Sequence, residues 1–209
     1  MKILNLYAGI GGNRKLWGDS HEITAVEYKP EIAKIYQDFF SNDKVVVGDA
    51  HQYLLDHYKE FDFVWSSPPC PTHSRFNFLS NVQEGKSIKY PDMALYQEII
   101  FLKTWFKGKW VVENVVSYYD PLIAPILSNN HYFWSNFLFP SLPNEVRGIK
   151  RKDEEDFKRE EILGIDLSKY KFSTKRMRRV VINNCVEPKI GKQILEYAIN
   201  PIEINKKLF

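Results

Sequence analysis

The sequence predicts an α/β fold, a doubly wound and mostly parallel sheet with helices on both faces. Three observations predict this class. Short apolar runs alternate with helix-like stretches in the first half of the chain, a glycine-rich turn follows the first run, and acidic residues follow the next ones. Parallel strands need crossover connections of roughly a dozen residues or more, and the helix-like stretches supply them.

The predicted strands are short runs rich in β-branched and aromatic residues. In chain order they cover residues 3–7, 21–27, 45–47, 61–65, 110–112, 131–139 and 179–182. The predicted helices carry apolar residues at intervals of three and four. They are a short helix ending near Trp17 and then residues 31–40, 51–58, 92–106 and 188–199. We expect a long polar loop at residues 71–91.

The composition indicates one folded domain over residues 1–209, because 44% of the chain is hydrophobic and 15% is aromatic. Two cysteines, Cys70 and Cys185, are too few for a disulfide framework or a cysteine-rich zinc site, so we expect a reducing compartment and no metal. No secretory signal and no apolar run of membrane-spanning length occurs, which favours a cytoplasmic protein without a membrane partner. The net charge of +3 is compatible with a polyanionic partner.

The fourth predicted strand delivers a single thiol onto a loop. The strand ends at Ser67-Pro68-Pro69, and Cys70 follows directly. Prolines keep the backbone extended and stiff, and the carboxyl end of a strand is where open α/β sheets bind ligands. Taken alone, this segment fits a reactive thiol and a small structural residue equally well. A nucleophilic thiol needs a partner for its proton, for which His73 and Glu113 are the candidates.

Polar groups at three successive strand ends favour an adenosine-type ligand. The turn Tyr7-Ala8-Gly9-Ile10-Gly11-Gly12 opens a helix, and its glycines let a ligand approach the backbone closely. Glu27 ends the next strand and suits two ribose hydroxyls, and Asp49 ends the third. Ordinary turn glycines and surface acids are the alternative. A Cys-His hydrolase built on Cys70 and His73 would leave this ligand site unexplained.

In family order, these elements resemble those of the DNA cytosine-5 methyltransferases, which use S-adenosylmethionine. The turn at residues 7–12 is similar to the family's Phe-x-Gly-x-Gly-Gly cofactor loop. Glu27-Tyr28 and Gly48-Asp49 resemble its ribose and adenine elements. Pro68-Pro69-Cys70, with Ser74, resembles its nucleophile loop, and Glu113-Asn114-Val115 resembles its Glu-Asn-Val triplet.

Two further elements near the carboxyl end extend the resemblance. Arg176-Met177-Arg178 is similar to the family's Arg-x-Arg pair, although Arg179 offers another alignment and Thr174 stands where the family usually has Gln. Residues 183–188 resemble its Gly-Asn-x-Val-x-Pro element, with Asn183 in place of Gly and Cys185 at a variable position. This implies that residues 183–199 complete the cofactor site.

The resemblance implies a Rossmann-like class I methyltransferase fold and a role for each matching residue. The implied catalytic residues are Cys70, Glu113, Arg176 and Arg178. The implied cofactor contacts are Tyr7, Ala8, Gly9, Gly11, Gly12, Glu27, Tyr28, Asp49, Ala50, Pro69, Asn184 and Val186. The implied substrate contacts are Ser74, Arg75 and Asn114.

The implied reaction is methylation of carbon 5 of a flipped-out cytosine in double-stranded DNA, with Cys70 bonded to carbon 6 and Glu113 supplying a proton at ring nitrogen 3. The implied setting is DNA methylation or restriction-modification by a prokaryotic or phage-encoded protein that associates with the nucleoid through DNA. Only residues 179–183 separate the two late elements, where the family usually has a target-recognition region. The expected substitutes are a small insert at residues 136–171, a partner subunit or a homodimer, and weak target specificity is the alternative. Methylation of RNA cytosine or of a free nucleotide, and a cofactor-binding subunit, remain alternatives.

Overall fold

The computed structural model of the chain describes residues 1–141, 159–161 and 163–201. Within these residues, seven strands form one sheet. They are β1 (Lys2–Leu6), β2 (Glu22–Glu27), β3 (Lys44–Val47), β4 (Phe63–Ser66), β5 (Lys109–Val115), β6 (Ile126–Ser128) and β7 (His131–Ser135). The spatial order is β3-β2-β1-β4-β5-β7-β6, with β1 to β5 parallel and β7 antiparallel to both of its neighbours. The predicted doubly wound, mostly parallel class is confirmed.

The helices begin at residues suited to helix starts. They are α1 (Pro30–Phe39), α2 (Ala50–His57), α3 (Arg75–Gln83), α4 (Ala94–Trp105), α5 (Lys175–Asn183) and α6 (Pro188–Ile199). The side chains of Asp49, Ser74 and Thr174 cap α2, α3 and α5 by accepting a backbone N–H of the first turn. Pro30 and Pro188 occupy first helical positions, where the N–H that proline lacks has no helical partner anyway.

Alternate strand residues bury the two faces of the sheet. Ile3, Trp65 and Val111 point to the face that α6 covers. The intervening residues, exemplified by Val64 and Val112, point to the face that α2 and α4 cover. Helices on both faces of a parallel sheet leave its carboxyl edge as the open side. The strand order reverses between β1 and β4, so a crevice opens beyond their carboxyl ends.

The predicted strand at residues 179–182 is wrong, because these residues lie within α5. The run Val180-Val181-Ile182 has the β-branched composition of a strand, yet Val180 is exposed while Val181 and Ile182 are buried. That burial belongs to a helical stripe, which packs with Ile10 and Ile32 in one cluster. Tertiary packing and the Thr174 cap outweigh strand propensity here.

Three smaller differences between the predicted and the observed elements concern the segments that connect strands and helices. The predicted loop at residues 71–91 contains α3, and the short helix ending near Trp17 is a single 3₁₀ turn, Asn13–Leu16. The aromatic segment at residues 131–139 is a strand only to Ser135, and its hairpin partner β6 was not predicted. Of the expected recognition insert at residues 136–171, residues 142–158 and 162 lie outside the described residues. No helix in the described part of the chain is long and apolar enough to cross a membrane.

Candidate active site

The glycine-rich turn after β1 is tightly packed at Gly11 and has open space at Gly9. Tyr7, Gly9 and Gly11 have positive φ of 54°, 55° and 82°. A Cβ atom on Gly11 would lie 2.3 Å from Cε2 of Phe40, whereas a Cβ atom on Gly9 would meet nothing within 4 Å. Gly11 is therefore required by packing beneath the turn. Gly9 leaves the backbone accessible from the crevice, as a closely approaching ligand requires.

Acidic side chains at the ends of β2 and β3 face the same crevice edge. Oε2 of Glu27 accepts the Gly9 N–H at 3.0 Å, and Oε1 accepts the Lys29 N–H at 3.0 Å. Each oxygen retains a further lone pair for a ligand hydroxyl. The adjacent Tyr28 ring is 74% exposed. Asp49 is exposed and caps α2 by accepting from Gln52 N at 2.9 Å.

The segment between α5 and α6 packs directly on the glycine turn. A Cβ atom on Gly12 would lie 2.5 Å from the carbonyl oxygen of Val186 and 2.9 Å from Cβ of Cys185. Asn184 and Val186 line a narrow cleft of about 20 Å³ together with Tyr7 and Gly9. The structure thus brings the predicted late cofactor contacts to the turn, although they are distant in sequence.

A buried carboxylate that sequence reasoning missed joins three elements below the crevice. Glu98 in α4 is 1% exposed and accepts hydrogen bonds from Tyr7 Oη at 3.0 Å and from Ser66 Oγ. His51 Nδ1 lies 3.3 Å from the Oε2 atom of Glu98. Burial and the Glu98 charge raise the pKa of Tyr7, so its hydroxyl stays a donor. The hydrogen bond to Glu98 raises the pKa of His51. The sequence did contain one indication of this buried acid, because Glu98 interrupts the apolar face of the helix predicted at residues 92–106.

The Cys70 loop is anchored to the end of β5. Asn114 Nδ2 donates to the carbonyl oxygen of Pro68 at 3.0 Å, and Asn114 is only 2% exposed. Asn114, predicted as a substrate contact, thus lies beneath the loop and positions it. Cys70 itself is half-buried, and its pKa is raised by burial and by the negative charge of Glu113. Cys70 follows β4 and Glu113 lies in the neighbouring parallel strand β5, so both lie toward the carboxyl edge of the sheet.

His73, the alternative proton partner for Cys70, is engaged elsewhere. Its ring is 1% exposed, with Nδ1 2.6 Å from Tyr119 Oη, and burial lowers its pKa. Ser74 caps α3 through Asn77 N at 3.3 Å, and Arg75 is exposed in the first turn of that helix. These contacts fix the end of the loop and leave Arg75 facing solvent.

A cavity of about 200 Å³ lies beside Glu113, between the sheet and the start of α6. A water occupies about 30 Å³ in the liquid, so the space admits a small planar ring. The lining residues that the sequence did not assign to the site include Asn129, His131 and Arg159, and Cys185 also lines the cavity. No described group donates to Asn129 Oδ1, which leaves an acceptor for a ligand. His131 Nε2 lies 3.6 Å from Glu113 Oε1.

The predicted arginine pair lies on α5 and does not line this cavity. Arg176 is exposed, and Arg178 Nη2 lies 2.6 Å from Glu160 Oε1. Arg159 lines the cavity instead, with its Nε donating to the Ile182 carbonyl at 3.2 Å and Nη2 to the Cys185 carbonyl at 3.1 Å. A guanidinium at the carboxyl end of α5 offsets the negative end of the helix dipole.

Comparison with known proteins assigns the chain to a protein family. The sequence profile of the C-5 cytosine-specific DNA methylases matches residues 1–116, which is more than half of the chain. No curated relative matches the chain. Among solved structures, the methyltransferase EhMeth of Entamoeba histolytica is similar at 12% identity and a TM-score of 0.59, over 96% of this chain and 98% of that chain. That likeness concerns the fold.

Two further solved structures are similar over smaller parts. A DNMT2 variant of Spodoptera frugiperda has 26% identity and a TM-score of 0.41, over 55% of this chain and 35% of that chain. A SAM-dependent methyltransferase of Agrobacterium tumefaciens has 12% identity and a TM-score of 0.40, over 57% and 40% of the two chains. On the strength of the profile match and the Rossmann-like sheet, this chain belongs to the C-5 cytosine-specific DNA methylase family and is a methyltransferase.

Proposed function

We propose that the chain methylates carbon 5 of cytosine in double-stranded DNA through a covalent bond between Cys70 and the base. One observation carries the proposal. Cys70 follows β4 and Glu113 lies near the end of the neighbouring parallel strand β5; the Glu113 charge raises the pKa of Cys70, and Glu113 lines a cavity of about 200 Å³. A thiol and a carboxyl at such a site supply the nucleophile and the proton donor that the base requires.

The residues around the glycine turn fit S-adenosylmethionine. The accessible backbone at Gly9 and the lone pairs of Glu27 suit the amino-acid part and the ribose, and the exposed Tyr28 ring suits one face of the adenine. Asp49 suits the adenine amine. The remaining contacts we propose are Tyr7, Ala8, Gly11, Gly12, Ala50, Pro69, Asn184 and Val186. When bound, the cofactor supplies an electrophilic methyl group.

The chemistry of the base follows from the two side chains. The Cys70 thiolate bonds to carbon 6 while Glu113 gives a proton to ring nitrogen 3, so the electron pair of the 5,6 double bond becomes available at carbon 5. Carbon 5 takes the methyl group and then loses its own proton to solvent. The double bond re-forms, Cys70 leaves as thiolate, and the proton on nitrogen 3 returns to Glu113. A stacked base cannot reach Cys70, so the cytosine is flipped out.

Charge at the site controls when Cys70 ionises. Burial and the Glu113 charge both raise the pKa of Cys70, so the thiol is protonated at neutral pH in the resting protein. Burial is permanent, whereas the effect of the Glu113 charge on Cys70 depends on the groups beside that carboxyl. A donor that offsets this charge lowers the pKa of Cys70 and favours the thiolate.

Basic side chains outside the cavity suit the phosphates of the substrate. Arg75 and Arg176 are both exposed, on α3 and α5, and we propose that they contact the backbone on either side of the flipped nucleotide, with Ser74 beside them. Because Arg178 is held by Glu160 and Arg159 lines the cavity, we propose Arg159 for the base carbonyl. A partner subunit or a second copy of the chain would supply target recognition.

The test is incubation of the purified chain with labelled S-adenosylmethionine and duplex DNA, single-stranded RNA or dCMP. We expect label in DNA as 5-methylcytosine, and no label with the Cys70→Ser variant. The matched control is Cys185→Ser, which changes the other thiol and keeps the label. Label in RNA or dCMP alone would refute the DNA substrate. Cofactor binding without transfer to any of the three would favour a subunit that needs a partner.

A further inference from the structure

The β6–β7 hairpin brings a histidine to the same face of the sheet as Glu113. In the register of β5 and β7, Glu113 pairs with Phe133 and Val115 pairs with His131. His131 is two residues from Phe133, so it shares the face on which Glu113 and Phe133 lie. Its Nε2 atom is 3.6 Å from Glu113 Oε1, and both residues line the cavity.

A backbone carbonyl fixes the orientation of the His131 ring. The Nδ1 atom lies 2.9 Å from the carbonyl oxygen of Asn129. A carbonyl only accepts, so Nδ1 carries a proton and Nε2 is the atom free to change. The carbonyl is aimed by a two-residue hairpin turn in which Asn129 and Asn130 both have positive φ, 49° and 58°. The turn thus directs Nε2 at the carboxyl.

We propose that His131 is the positioning residue of Glu113: it donates Nε2–H to the carboxyl, fixes its orientation and offsets its charge. This proposal rests on the proposed function of Glu113. His131 Nε2 and Glu113 Oε1, 3.6 Å apart, are within ion-pair distance, and such contacts shorten to hydrogen bonds when substrate fills a site. Glu113 takes up a proton from solvent when the cytosine enters, and as this proton passes to ring nitrogen 3 the imidazolium stabilises the carboxylate that forms. No covalent bond changes at His131.

The other charged groups around this pair do not replace His131. Arg159 faces the cavity, but its guanidinium donates to the carbonyls of Ile182 and Cys185 at the end of α5. Glu187, which precedes α6, adds negative charge at the cavity wall. Among the described residues, His131 is the basic side chain within ion-pair distance of a Glu113 oxygen.

The proposal has a consequence at Cys70 that does not depend on methyl transfer. The Glu113 charge is the second cause, after burial, that raises the pKa of Cys70. If His131 offsets this charge, loss of the imidazolium raises the pKa of Cys70 further and slows its reaction with an alkylating agent at neutral pH. Cys185 does not interfere, because burial raises its pKa to about 12.

The experiment measures the rate at which iodoacetamide alkylates Cys70 between pH 6 and 10, with the modified peptide identified by mass spectrometry. The wild-type chain is compared with His131→Gln, which cannot carry charge, and with His131→Arg, which always does. The matched control is His57→Gln. His57 also pairs with a glutamate, Glu60 at 2.7 Å, but on the exposed surface of α2.

We expect His131→Gln to alkylate roughly threefold more slowly at neutral pH and to transfer methyl groups about tenfold more slowly, with the Michaelis constant for the cofactor unchanged. His131→Arg keeps the wild-type alkylation rate, and His57→Gln changes neither rate. In a Glu113→Gln background, His131→Gln adds no further slowing. Thermal melting of each variant checks that the fold is intact.

One pattern overturns the proposal and leaves the proposed function standing: Glu113→Gln alters Cys70 alkylation, whereas His131→Gln alters neither alkylation nor transfer. Slowing by His131→Gln that persists unchanged in the Glu113→Gln background also overturns it, since the effect would not pass through Glu113. If the wild-type chain methylates nothing, the proposed function fails, but the alkylation rates still decide whether His131 offsets the Glu113 charge.

Discussion

The chain holds its two cysteines in two loops, and their surroundings differ in what governs the reactivity of each thiol. Cys70 follows β4 on a loop, is half-buried, and has a pKa that the Glu113 charge helps to raise. Cys185 follows α5, is 7% exposed, and donates its Sγ–H to the Val181 carbonyl at 3.4 Å. Its side chain packs against Gly12. Cys70 stays partly exposed on its loop, whereas Cys185 packs into an apolar cluster and also lines the cavity beside Glu113.

The comparison shows that the neighbours of a sulfur decide its role. Burial raises the pKa of both thiols, so neither is a thiolate at neutral pH in the resting protein. For Cys185 burial is the leading cause and no change at the site removes it. For Cys70 part of the effect comes from the Glu113 charge, which a neighbouring donor can offset. A nucleophile whose ionisation depends on such a donor is protected from reaction in its absence.

The largest effect separates the two cysteines directly. Cys70→Ser removes the nucleophile and is expected to lower methyl transfer at least about 10³-fold. Cys185→Ser leaves transfer near the wild-type rate but lowers the free energy of unfolding by about 1–3 kcal/mol, because a hydroxyl replaces a sulfur in an apolar cluster. Transfer assays and denaturant unfolding of both variants measure this. Equal losses of transfer would show that the two loops do not differ as described.

The second largest effect is expected for Glu113, whose charge acts on the Cys70 thiol. Glu113→Gln removes the proton donor and is expected to slow methyl transfer about 10²–10⁴-fold. The same change removes a negative charge that raises the pKa of Cys70, so alkylation of Cys70 becomes faster at neutral pH. Opposite changes in the two rates are the result to look for. Slower alkylation would mean that the Glu113 charge does not act on Cys70.

A third change tests the contact between the glycine turn and the Cys185 loop. In Gly12→Ala the new Cβ atom would lie 2.5 Å from the Val186 carbonyl oxygen and must displace that loop. We expect weaker binding of S-adenosylhomocysteine by calorimetry, and a loss of about 1–3 kcal/mol in the free energy of unfolding. Gly48→Ala is the stability control, because its Cβ atom meets nothing within 4 Å. Equal stability of the two variants would contradict the close packing.

The smallest effect is expected for the hydrogen bond between Tyr7, in the glycine-rich turn, and the buried Glu98. Tyr7→Phe removes the donor that Glu98 accepts at 3.0 Å and is expected to cost about 1 kcal/mol of the free energy of unfolding. Because Ser66 and His51 still contact Glu98, the end of β4 and the Cys70 loop keep their places. Denaturant unfolding measures the loss of stability, and the alkylation rate of Cys70 reports whether its loop has moved. Altered alkylation would show that the Tyr7 hydroxyl also holds the Cys70 loop.

The sequence was most informative where local pattern and tertiary role coincide. The alternation of strands and helices up to β5 predicted the sheet, and Gly11 and Glu27 were identified because a turn and a strand end each impose their own residue type. The strand predicted at residues 179–182 failed because Val-Val-Ile reads equally as a strand or as one side of a helix. Only packing against Ile10 and Ile32 decides between them.

Several residues that line the cavity could not be predicted from the sequence. His131, Asn129 and Arg159 come from a hairpin and from a segment before α5, and no local motif links them to Glu113. Their proximity depends on the antiparallel register of β5 and β7 and on the position of α5. Glu98 was similarly hidden, since its role depends on groups from β1, β4 and α2 that meet only in the fold.

The most direct test of the account is mass spectrometry of the chain after incubation with S-adenosylmethionine and a random-sequence duplex pool in which 5-fluorocytosine replaces cytosine. Fluorine at carbon 5 cannot leave as a proton does, so the enzyme stays bonded to the base. We predict a DNA adduct on the Cys70 peptide that disappears in Cys70→Ser and persists in Cys185→Ser. Cofactor binding without any adduct, or an adduct on Cys185, would contradict the assignment of Cys70 as the nucleophile.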